Sequence, residues 1–192
     1  MANESTREAA TWSPRIAVEG DIPAIAELIP ASVRELQAAH YTQVQREAAI
    51  GTVFGVDSQL VRDGTYFVVE ENGRIVGCGG WSRRLSLCGS DSGRQGEDPE
   101  IPRSEPARIR AFFVHPAFAR RGIGRSLVGS CESAIRQAGY SSVVIMATLP
   151  GEPLYAAHGY AVSERCSLSM EGGLGLPVVR MEKRLSGAVQ PP

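Results

Sequence analysis

Apolar residues recur at helical spacing in two long stretches of the chain. The first stretch holds Ile22, Ile25, Ala26, Ile29, Val33 and Leu36. The second holds Ile123, Leu127, Val128, Cys131, Ala134, Ile135 and Ala138. Residues three and four positions apart share one face of a helix, so both stretches predict amphipathic helices. We expect Asp21 to cap the first helix, Pro30 to kink or split it, and Gly139 to end the second.

Runs of β-branched and aromatic residues predict the strands. Residues 65–70 and 74–81 flank Asn72-Gly73, and Asn-Gly between two such runs is the strongest short signal for a β-hairpin. Residues 108–114 and 142–147 bracket the second helix, and this order predicts a right-handed crossover between parallel strands. The remaining patterns predict strands at 15–18, 161–170 and 177–185, and helices at 42–53 and 153–158.

The chain has 192 residues, of which 14–186 are predicted to form a single domain. Residues 1–13 are predicted to be a flexible N-terminal tail and residues 187–192 a C-terminal tail. Residues 86–107 are rich in Gly, Ser, Asp and Pro and predict a long loop, which is unusual inside a compact domain and is often functional. We place no domain boundary there, because neither half of the chain looks complete alone.

The net charge, the lengths of the apolar runs and the cysteine spacing argue against several classes of protein. The net charge of −1 disfavours a protein that coats nucleic acid, since such proteins are strongly basic. No apolar run approaches the roughly 20 residues that span a bilayer, and the N-terminal residues lack the apolar segment of a secretory signal. Cys78, Cys88, Cys131 and Cys166 are widely spaced, which argues against zinc and thioredoxin-type sites. The sequence therefore predicts a cytoplasmic protein with free thiols, no metal, and no nucleic acid or membrane among its partners.

The most informative segment is Ala119-Arg120-Arg121-Gly122-Ile123-Gly124-Arg125-Ser126, here called the Arg-Gly loop, which joins a predicted strand to the second helix. A helix N-terminus leaves about four backbone N–H groups unpaired and is partly positive, and glycines let a phosphate approach them. With its three arginines the loop predicts a pyrophosphate site, the alternative being a solvated basic turn before an ordinary helix. It is not a P-loop, because Lys183 is the only lysine, and Leu127 stands where a dinucleotide-binding motif needs its third glycine.

The segment from residue 107 to residue 162 resembles the core of the GNAT N-acetyltransferase superfamily. That family has a strand ending in Val-x-Pro, then Gln/Arg-x-x-Gly-x-Gly/Ala opening a helix, and later a helix ending in Tyr-x-x-x-Gly-Phe. The matching residues are Val114-His115-Pro116, Gly122-Ile123-Gly124 and Tyr155-Ala156-Ala157-His158-Gly159-Tyr160. Residues 176–185 also resemble the closing strand of the family, so the resemblance spans most of the chain, from residue 15 to residue 185.

The resemblance implies an α/β (α+β) GNAT fold: a central mixed, mostly antiparallel, twisted β-sheet with a parallel, splayed strand pair, flanked by about four helices. It also implies that acetyl-CoA is the co-substrate. Phe113 and Val114 would pair with the pantetheine arm along a strand edge. The implied contacts around the pyrophosphate are Arg120, Arg121, Gly122, Ile123, Gly124, Arg125 and Ser126. Ala119 and Thr148 depart from the family pattern, which has Gln or Arg at the first position and often Asn at the second.

Transfer of an acyl group from a thioester to an amine requires a neutral amine, a donor for the developing oxyanion and a proton for the thiolate. The resemblance makes Tyr155 the general acid, the alternative being an aromatic that only packs its helix against the core. It makes a backbone N–H near Val114 the oxyanion donor. Glu105 is one candidate for the general base and Glu70 is another. His115 is interpreted as part of the turn that closes the strand.

The sequence thus predicts an acetyl-CoA-dependent N-acetyltransferase that moves an acetyl group to a primary amine of a small molecule or protein by direct attack on the thioester. The alternative is a non-catalytic acyl-CoA-binding regulatory module. The near-neutral net charge argues against a third interpretation, nucleic-acid contact by the arginines of the loop. His40 and Tyr41 lie where the family often shapes its acceptor pocket, and Phe54 and Trp81 are expected in the core or the pocket wall. The sequence leaves open the acceptor, the acyl chain length and whether the protein forms a homodimer.

Overall fold

The structure is a computed structural model that describes residues 12–87, 90–92 and 96–186. Residues 1–11 of the predicted 1–13 tail and all of the predicted 187–192 tail lie outside the described residues, as do Cys88 and parts of the predicted 86–107 loop. The described cysteines, Cys78, Cys131 and Cys166, carry free thiols.

Seven strands form one sheet within the described residues. They are β1 (Arg15–Ile16), β2 (Tyr66–Glu71), β3 (Arg74–Ser82), β4 (Ala107–Val114), β5 (Ser142–Thr148), β6 (Ala161–Ser169) and β7 (Gly175–Arg184). Their order across the sheet is β1-β2-β3-β4-β5-β7-β6. Neighbouring strands are antiparallel except β4 and β5, which are parallel. The predicted fold class, a mixed and mostly antiparallel sheet with one parallel pair, is therefore confirmed.

Five α-helices flank this sheet in the described part of the chain. They are α1 (Ile22–Leu36), α2 (Gln43–Ala49), α3 (Ser58–Arg62), α4 (Ile123–Gln137) and α5 (Glu152–Ala157). The helix α3 was not predicted, because its 5 residues are too few to show a helical repeat.

Two boundaries predicted from local sequence signals are confirmed, namely the turn between β2 and β3 and the C-terminus of α4. Asn72 and Gly73 have positive φ of 51° and 76°, as a two-residue type I′ turn between β2 and β3 requires. Gly139 has a φ of 86°, and its N–H donates to the carbonyl of Arg136 at 2.9 Å. The next N–H, of Tyr140, donates to the carbonyl of Ile135 at 3.1 Å, which completes a Schellman motif at the end of α4.

The prediction that Asp21 caps α1 was wrong. Asp21 occupies the N-cap position but does not cap α1, because its carboxylate accepts the N–H of Val18 at 2.8 Å and pairs with Arg15 at 2.7 Å. The hydrogen bonds from Arg15 hold the pKa of Asp21 below its usual range. The helix is also not split at Pro30 but continues to Leu36. A proline inside a helix removes one backbone hydrogen bond, and the buried apolar face of α1 outweighs that loss.

The helices cover both faces of the sheet. One face, here called the α4 face, packs against Ile123, Leu127, Val128, Cys131 and Ile135. The opposite face, here called the α1 face, packs against Ile25, Leu28, Ile29, Val33, Leu60 and Val61. Successive strand residues alternate between the two hydrophobic clusters, as Val68 and Val69 show, because side chains of a strand point to opposite faces in turn.

The parallel strands β4 and β5 separate along their length. They pair only where residues 107–109 lie opposite residues 143–145. Beyond that point Ala111 has a positive φ of 59° and the register between β3 and β4 shifts, so β4 forms a bulge. Strand β5 meanwhile stays paired with β7 as far as Thr148. A gap therefore opens in the middle of the sheet between the C-terminal halves of β4 and β5.

Gly77 on β3 lets helix α4 approach this part of the sheet. A Cβ atom on Gly77 would lie 2.4 Å from the Cγ2 of Ile123, the first residue of α4. We expect Gly77→Ala to lower the free energy of unfolding by about 1–3 kcal/mol, because the branched Ile123 cannot move aside without moving the helix. Thermal and urea unfolding measure this effect. Gly129→Ala is the matched control, because its Cβ meets nothing within 4 Å, and it should stabilise α4 by about 0.5–1 kcal/mol. Equal stability of the two variants would contradict this account of the packing.

Candidate active site

A cavity of about 630 Å³ occupies the gap between β4 and β5. The Arg-Gly loop and Tyr155 line it on one side, and the C-terminal end of α1 and the segment after α2 line it on the other. Tyr155 and Ile123 belong to the hydrophobic cluster of the α4 face, whereas Phe54 and Val178 belong to that of the α1 face. The cavity therefore passes through the sheet and joins its two faces.

The Arg-Gly loop brings the N-terminus of α4 to this cavity. Gly122 is the N-cap with a φ of 89°, and the N–H of Ser126 donates to its carbonyl at 3.0 Å. This is the first backbone hydrogen bond of α4. The N–H groups of Ile123, Gly124 and Arg125 come before it in the chain, so they have no hydrogen-bond acceptor within the helix. Arg120 also has a positive φ of 62°, which costs a non-glycine residue roughly 1–2 kcal/mol. Backbone strain of this kind is concentrated at binding sites and active sites.

Most of the residues predicted to contact the cofactor line the cavity. They are Phe113, Val114, Arg120, Gly122, Ile123, Gly124 and Arg125. Arg121 and Ser126 are absent from this lining. The guanidinium of Arg121 lies over the rings of Trp12 and Phe118, 5.3 and 4.8 Å from their centroids, and pairs with Glu71 at 3.0 Å. Arg121 and Ser126 therefore support the loop from outside the cavity.

Trp12 is the residue that Arg121 and Ser126 share, and sequence reasoning missed it. Its indole N–H donates to the carbonyl of Arg121 at 2.7 Å, and its own carbonyl accepts the hydroxyl of Ser126 at 3.0 Å. The only sequence signal was a tryptophan at the end of a polar segment, which does not indicate a contact with a loop more than a hundred residues away.

Tyr155 lies on α5 with its side chain buried against the cavity. Its ring makes edge-to-face contacts with Phe112 and Tyr160, with centroids 6.1 and 5.7 Å away. Burial raises the pKa of Tyr155 far above that of a free phenol. The residue thus packs in the core, as the alternative interpretation expected, and also lines the cavity.

Ser32 is a second polar group that sequence reasoning missed. It is buried on α1 and lines the cavity, and its hydroxyl oxygen accepts the N–H of Val114 at 3.3 Å. The oxyanion donor was predicted to be a backbone N–H near Val114, and the N–H of Val114 itself is already engaged by a side chain. A signal was present in the sequence, since Ser32 interrupts the apolar stripe of α1 between Ile29 and Leu36.

Neither glutamate proposed as a general base lines this cavity. Glu105 precedes β4, half-exposed and paired with Arg108 at 3.2 Å, whereas the cavity lies at the C-terminal end of that strand. A strand advances by about 3.3 Å per residue, so the seven steps from Ala107 to Val114 along β4 cover roughly 23 Å, and Glu105 precedes Ala107. Glu70 pairs with Arg15 and borders a separate, smaller cavity beside the β2–β3 hairpin. The geometry gives no support to the interpretation of Glu105 or Glu70 as the base.

The other aromatic candidates have distinct positions. Phe54 lines the cavity and packs edge-to-face on Phe113 with centroids 6.0 Å apart, while Trp81 is buried in the core. The hydroxyl of Tyr41 donates to the carbonyl of Pro177 at 2.7 Å and accepts the N–H of Leu149 at 2.9 Å. Burial raises the pKa of Tyr41. These bonds tie the connection between α1 and α2 to the ends of β5 and β7, next to the cavity.

Metal clusters and membrane-spanning helices are both absent from the described residues. No group of three or more His, Cys, Asp or Glu side chains in residues 12–87, 90–92 and 96–186 is arranged to hold a metal ion. Among the helices of those same ranges, none is long and apolar enough to cross a membrane.

Comparison with known proteins agrees with this architecture. Residues 62–162 match the family model described as the acetyltransferase (GNAT) domain, whereas no curated protein matches the sequence. A GCN5-related N-acetyltransferase from Rhodopseudomonas palustris has a TM-score of 0.69 and 21% identity over 93% of this chain and 98% of its own. YncA from Salmonella typhimurium, solved with its cofactor acetyl-CoA, has a TM-score of 0.62 and 20% identity over 96% and 99% of the two chains.

The PaiA N-acetyltransferase from Thermoplasma acidophilum, solved with coenzyme A, also has a TM-score of 0.62, with 13% identity over 91% and 99% of the two chains. At such identities the solved structures share the fold with this chain. The family model goes further, because it covers more than half of the sequence. The chain therefore belongs to the GNAT acetyltransferase family.

Proposed function

We propose that this protein is an acetyl-CoA-dependent N-acetyltransferase, in which a primary amine of a small molecule or protein attacks the thioester directly. The observation that carries the proposal is the cavity between β4 and β5, which joins the Arg-Gly loop to Tyr155 and continues to the α1 face. A thioester entering from one face of the sheet and an amine entering from the other would meet inside it.

The chemical groups along the cavity fit an acyl-CoA. The N–H groups of Ile123, Gly124 and Arg125 suit a diphosphate, and the side chains of Arg120 and Arg125 add positive charge. Past Ile109, none of the described strands lies beside the edge of β4 that faces the gap, so this edge suits the amide-bearing pantetheine arm, which would pair with it as an added strand does. Acetyl-CoA, when bound there, supplies the acetyl thioester.

Tyr155 is proposed to donate its hydroxyl proton to the sulfur as the C–S bond breaks. Because burial raises its pKa, the phenol stays protonated at neutral and mildly alkaline pH. Tyr155 gives one proton to the sulfur. The amine nitrogen loses one proton when the amide forms, and that proton restores the hydroxyl of Tyr155, so the protons balance. A positioned acid of this kind contributes typically 10²- to 10⁴-fold to the rate.

The amine is proposed to enter the cavity already neutral. Within the described residues, no carboxylate and no imidazole lines the cavity, so no side chain there is placed to deprotonate a bound ammonium. The small neutral fraction of an alkyl amine, whose pKa is about 10, then limits the reaction at neutral pH.

This mechanism predicts the pH dependence. For an alkyl amine, kcat/KM should rise about tenfold per pH unit between roughly pH 6 and 9, because the neutral fraction rises by that factor. No alkaline decline due to Tyr155 should appear in that range, since its raised pKa keeps the hydroxyl protonated. Quantifying the acetylated amine across pH tests this. Glu105→Gln should have the same profile as the wild type, and a plateau above about pH 7 would instead reveal an internal base.

Ser32 is proposed to donate its hydroxyl proton to the thioester oxygen as negative charge develops there. Its oxygen accepts the N–H of Val114, which leaves its own proton free to donate, and accepting one hydrogen bond strengthens the donation of another. We expect Ser32→Ala to lower kcat by about 10- to 100-fold with little change in acetyl-CoA affinity. Ser133→Ala, on the exposed side of α4, is the control. A kcat equal to that of the control would remove Ser32 from the mechanism.

Two measurements test the function itself. Acetyl-CoA should raise the melting temperature, and at 100 times its Kd the added stability is about 2.7 kcal/mol. Amine-dependent release of free thiol, together with mass spectrometry of the acetylated amine, should then show turnover. Stabilisation without turnover of any amine would favour the non-catalytic acyl-CoA-binding module. The absence of both effects would reject the proposal.

A further inference from the structure

The part of the cavity on the α1 face has mostly apolar walls. If the thioester lies between β4 and β5 as proposed above, the acceptor occupies this part, so the present inference rests on the proposed function. The apolar lining residues here are Leu36, Val53, Phe54, Leu87, Leu168 and Val178. Such walls favour a ligand that brings apolar surface and disfavour one that brings an unpaired charge.

Arg110 is the charged residue that reaches this part of the cavity, and its guanidinium is already engaged. Its Nε lies 2.9 Å from a carboxylate oxygen of Asp57, and its Nη2 lies 3.5 Å from one of Asp98. Its Nη1 donates to the carbonyl of Ser86 at 2.7 Å. The side chain of Arg110 is only 3% exposed. Arg110 is therefore already paired with two carboxylates, so its positive charge is balanced before the carboxylate of an incoming amino acid arrives.

Gln37 supplies the unsatisfied polar atom of this region. It follows the last turn of α1, is 7% exposed, and lines the cavity. Its side-chain oxygen is buried, and the described residues offer it no hydrogen-bond partner. A buried polar atom without a partner is costly, and a turn of the Gln37 side-chain amide toward the cavity would let a ligand N–H satisfy it.

We propose that the acceptor is a primary amine on a neutral alkyl or aryl body, and that the side-chain oxygen of Gln37 accepts a hydrogen bond from its amino group. The apolar walls take up the body of the amine. A carboxylate or a second ammonium on that body would be desolvated beside the apolar side chains, where the charges of the described residues are already paired with one another.

Matched pairs of amines test the substrate class. 2-Phenylethylamine and phenylalanine differ by one carboxylate, and hexylamine and 1,6-diaminohexane differ by one ammonium. The kcat/KM of the first member of each pair should exceed that of the second by about 100-fold or more. The amino group of phenylalanine is the less basic in its pair, so its larger neutral fraction works against the expected result. Comparable or higher kcat/KM for the charged members, or turnover of neither member, would overturn the inference.

Gln37→Met tests the role of the side-chain oxygen, because methionine has a similar shape but cannot accept this bond. KM for hexylamine should rise about tenfold, with kcat and the Kd for acetyl-CoA within about twofold of wild type. Gln43→Met, at an exposed position of α2, is the matched control. An unchanged KM, or an equal change in acetyl-CoA affinity, would remove Gln37 from amine binding. Failure of the proposed function would look different, because acetyl-CoA would then neither stabilise the protein nor be consumed.

Discussion

Tyr155→Phe is expected to lower kcat by about 10²-fold or more while leaving the Kd for acetyl-CoA within about twofold of wild type. The substitution removes one hydroxyl and keeps the ring, whose contacts with Phe112 and Tyr160 hold α5 against the sheet. Stability should therefore change little, and the loss should fall on the step in which the thiolate departs. Steady-state kinetics and isothermal titration with acetyl-CoA separate the two quantities.

Tyr160→Phe is the matched control for this variant. Tyr160 is also a buried tyrosine and touches Tyr155, but it does not line the cavity. Its kcat should stay within about twofold of wild type. If Tyr155→Phe lost acetyl-CoA affinity and kcat in equal measure, Tyr155 would be a wall of the binding site and another group would protonate the sulfur.

The predictions that the structure confirms rest on signals local in sequence. The hairpin depended on Asn72-Gly73, whose positive φ values few other residue pairs accept. The helix α4 depended on an apolar repeat and on Gly139 at its end. Each signal acts within a few residues, so folding of the rest of the chain does not alter it.

The side chains that face the cavity depend on tertiary structure and were harder to predict. Three arginines lie close together in the Arg-Gly loop, yet Arg120 and Arg125 line the cavity while Arg121 pairs with Glu71 on β2. The positive φ of Arg120 changes the direction of the backbone at this point. Arginine rarely adopts a positive φ, so the sequence did not predict it. Glu105 adjoins the strand that borders the cavity, but at the end away from it, and its place in the sequence does not reveal this.

The buried charged residues near the acceptor end of the cavity also depend on tertiary structure and could not be predicted from the sequence. Asp57, Asp98 and Arg110 belong to the N-terminus of α3, the long loop and β4, which are far apart in the sequence and adjacent only in the folded structure. Isolated carboxylates in polar segments look solvated in a sequence. Their pairing with Arg110 decides whether this arginine is available to a substrate, and the sequence does not show that pairing.

Gly124→Asp is expected to weaken acetyl-CoA binding by about 10²-fold or more. Gly124 lies in the first turn of α4 and lines the cavity, where its N–H is proposed to contact the diphosphate. A carboxylate about 5 Å from a phosphate charge costs roughly 3 kcal/mol at an effective dielectric constant near 20. The free protein should not lose its fold, because an acidic residue near a helix N-terminus is itself favourable. Titration calorimetry with acetyl-CoA, beside thermal unfolding without it, measures both effects.

Gly124→Ala separates charge from crowding in this prediction. Any Cβ at this position would lie 3.0 Å from a methyl carbon of Leu154 on α5, so alanine and aspartate share the steric strain. Only aspartate adds electrostatic repulsion of the diphosphate. This repulsion should weaken when the ionic strength is raised, because salt screens exposed charges. Alanine should therefore bind acetyl-CoA markedly better than aspartate, and the difference should shrink at high salt. Wild-type affinity in Gly124→Asp would mean that the diphosphate binds away from the N-terminus of α4, and the route of the pantetheine arm along β4 would fall with it.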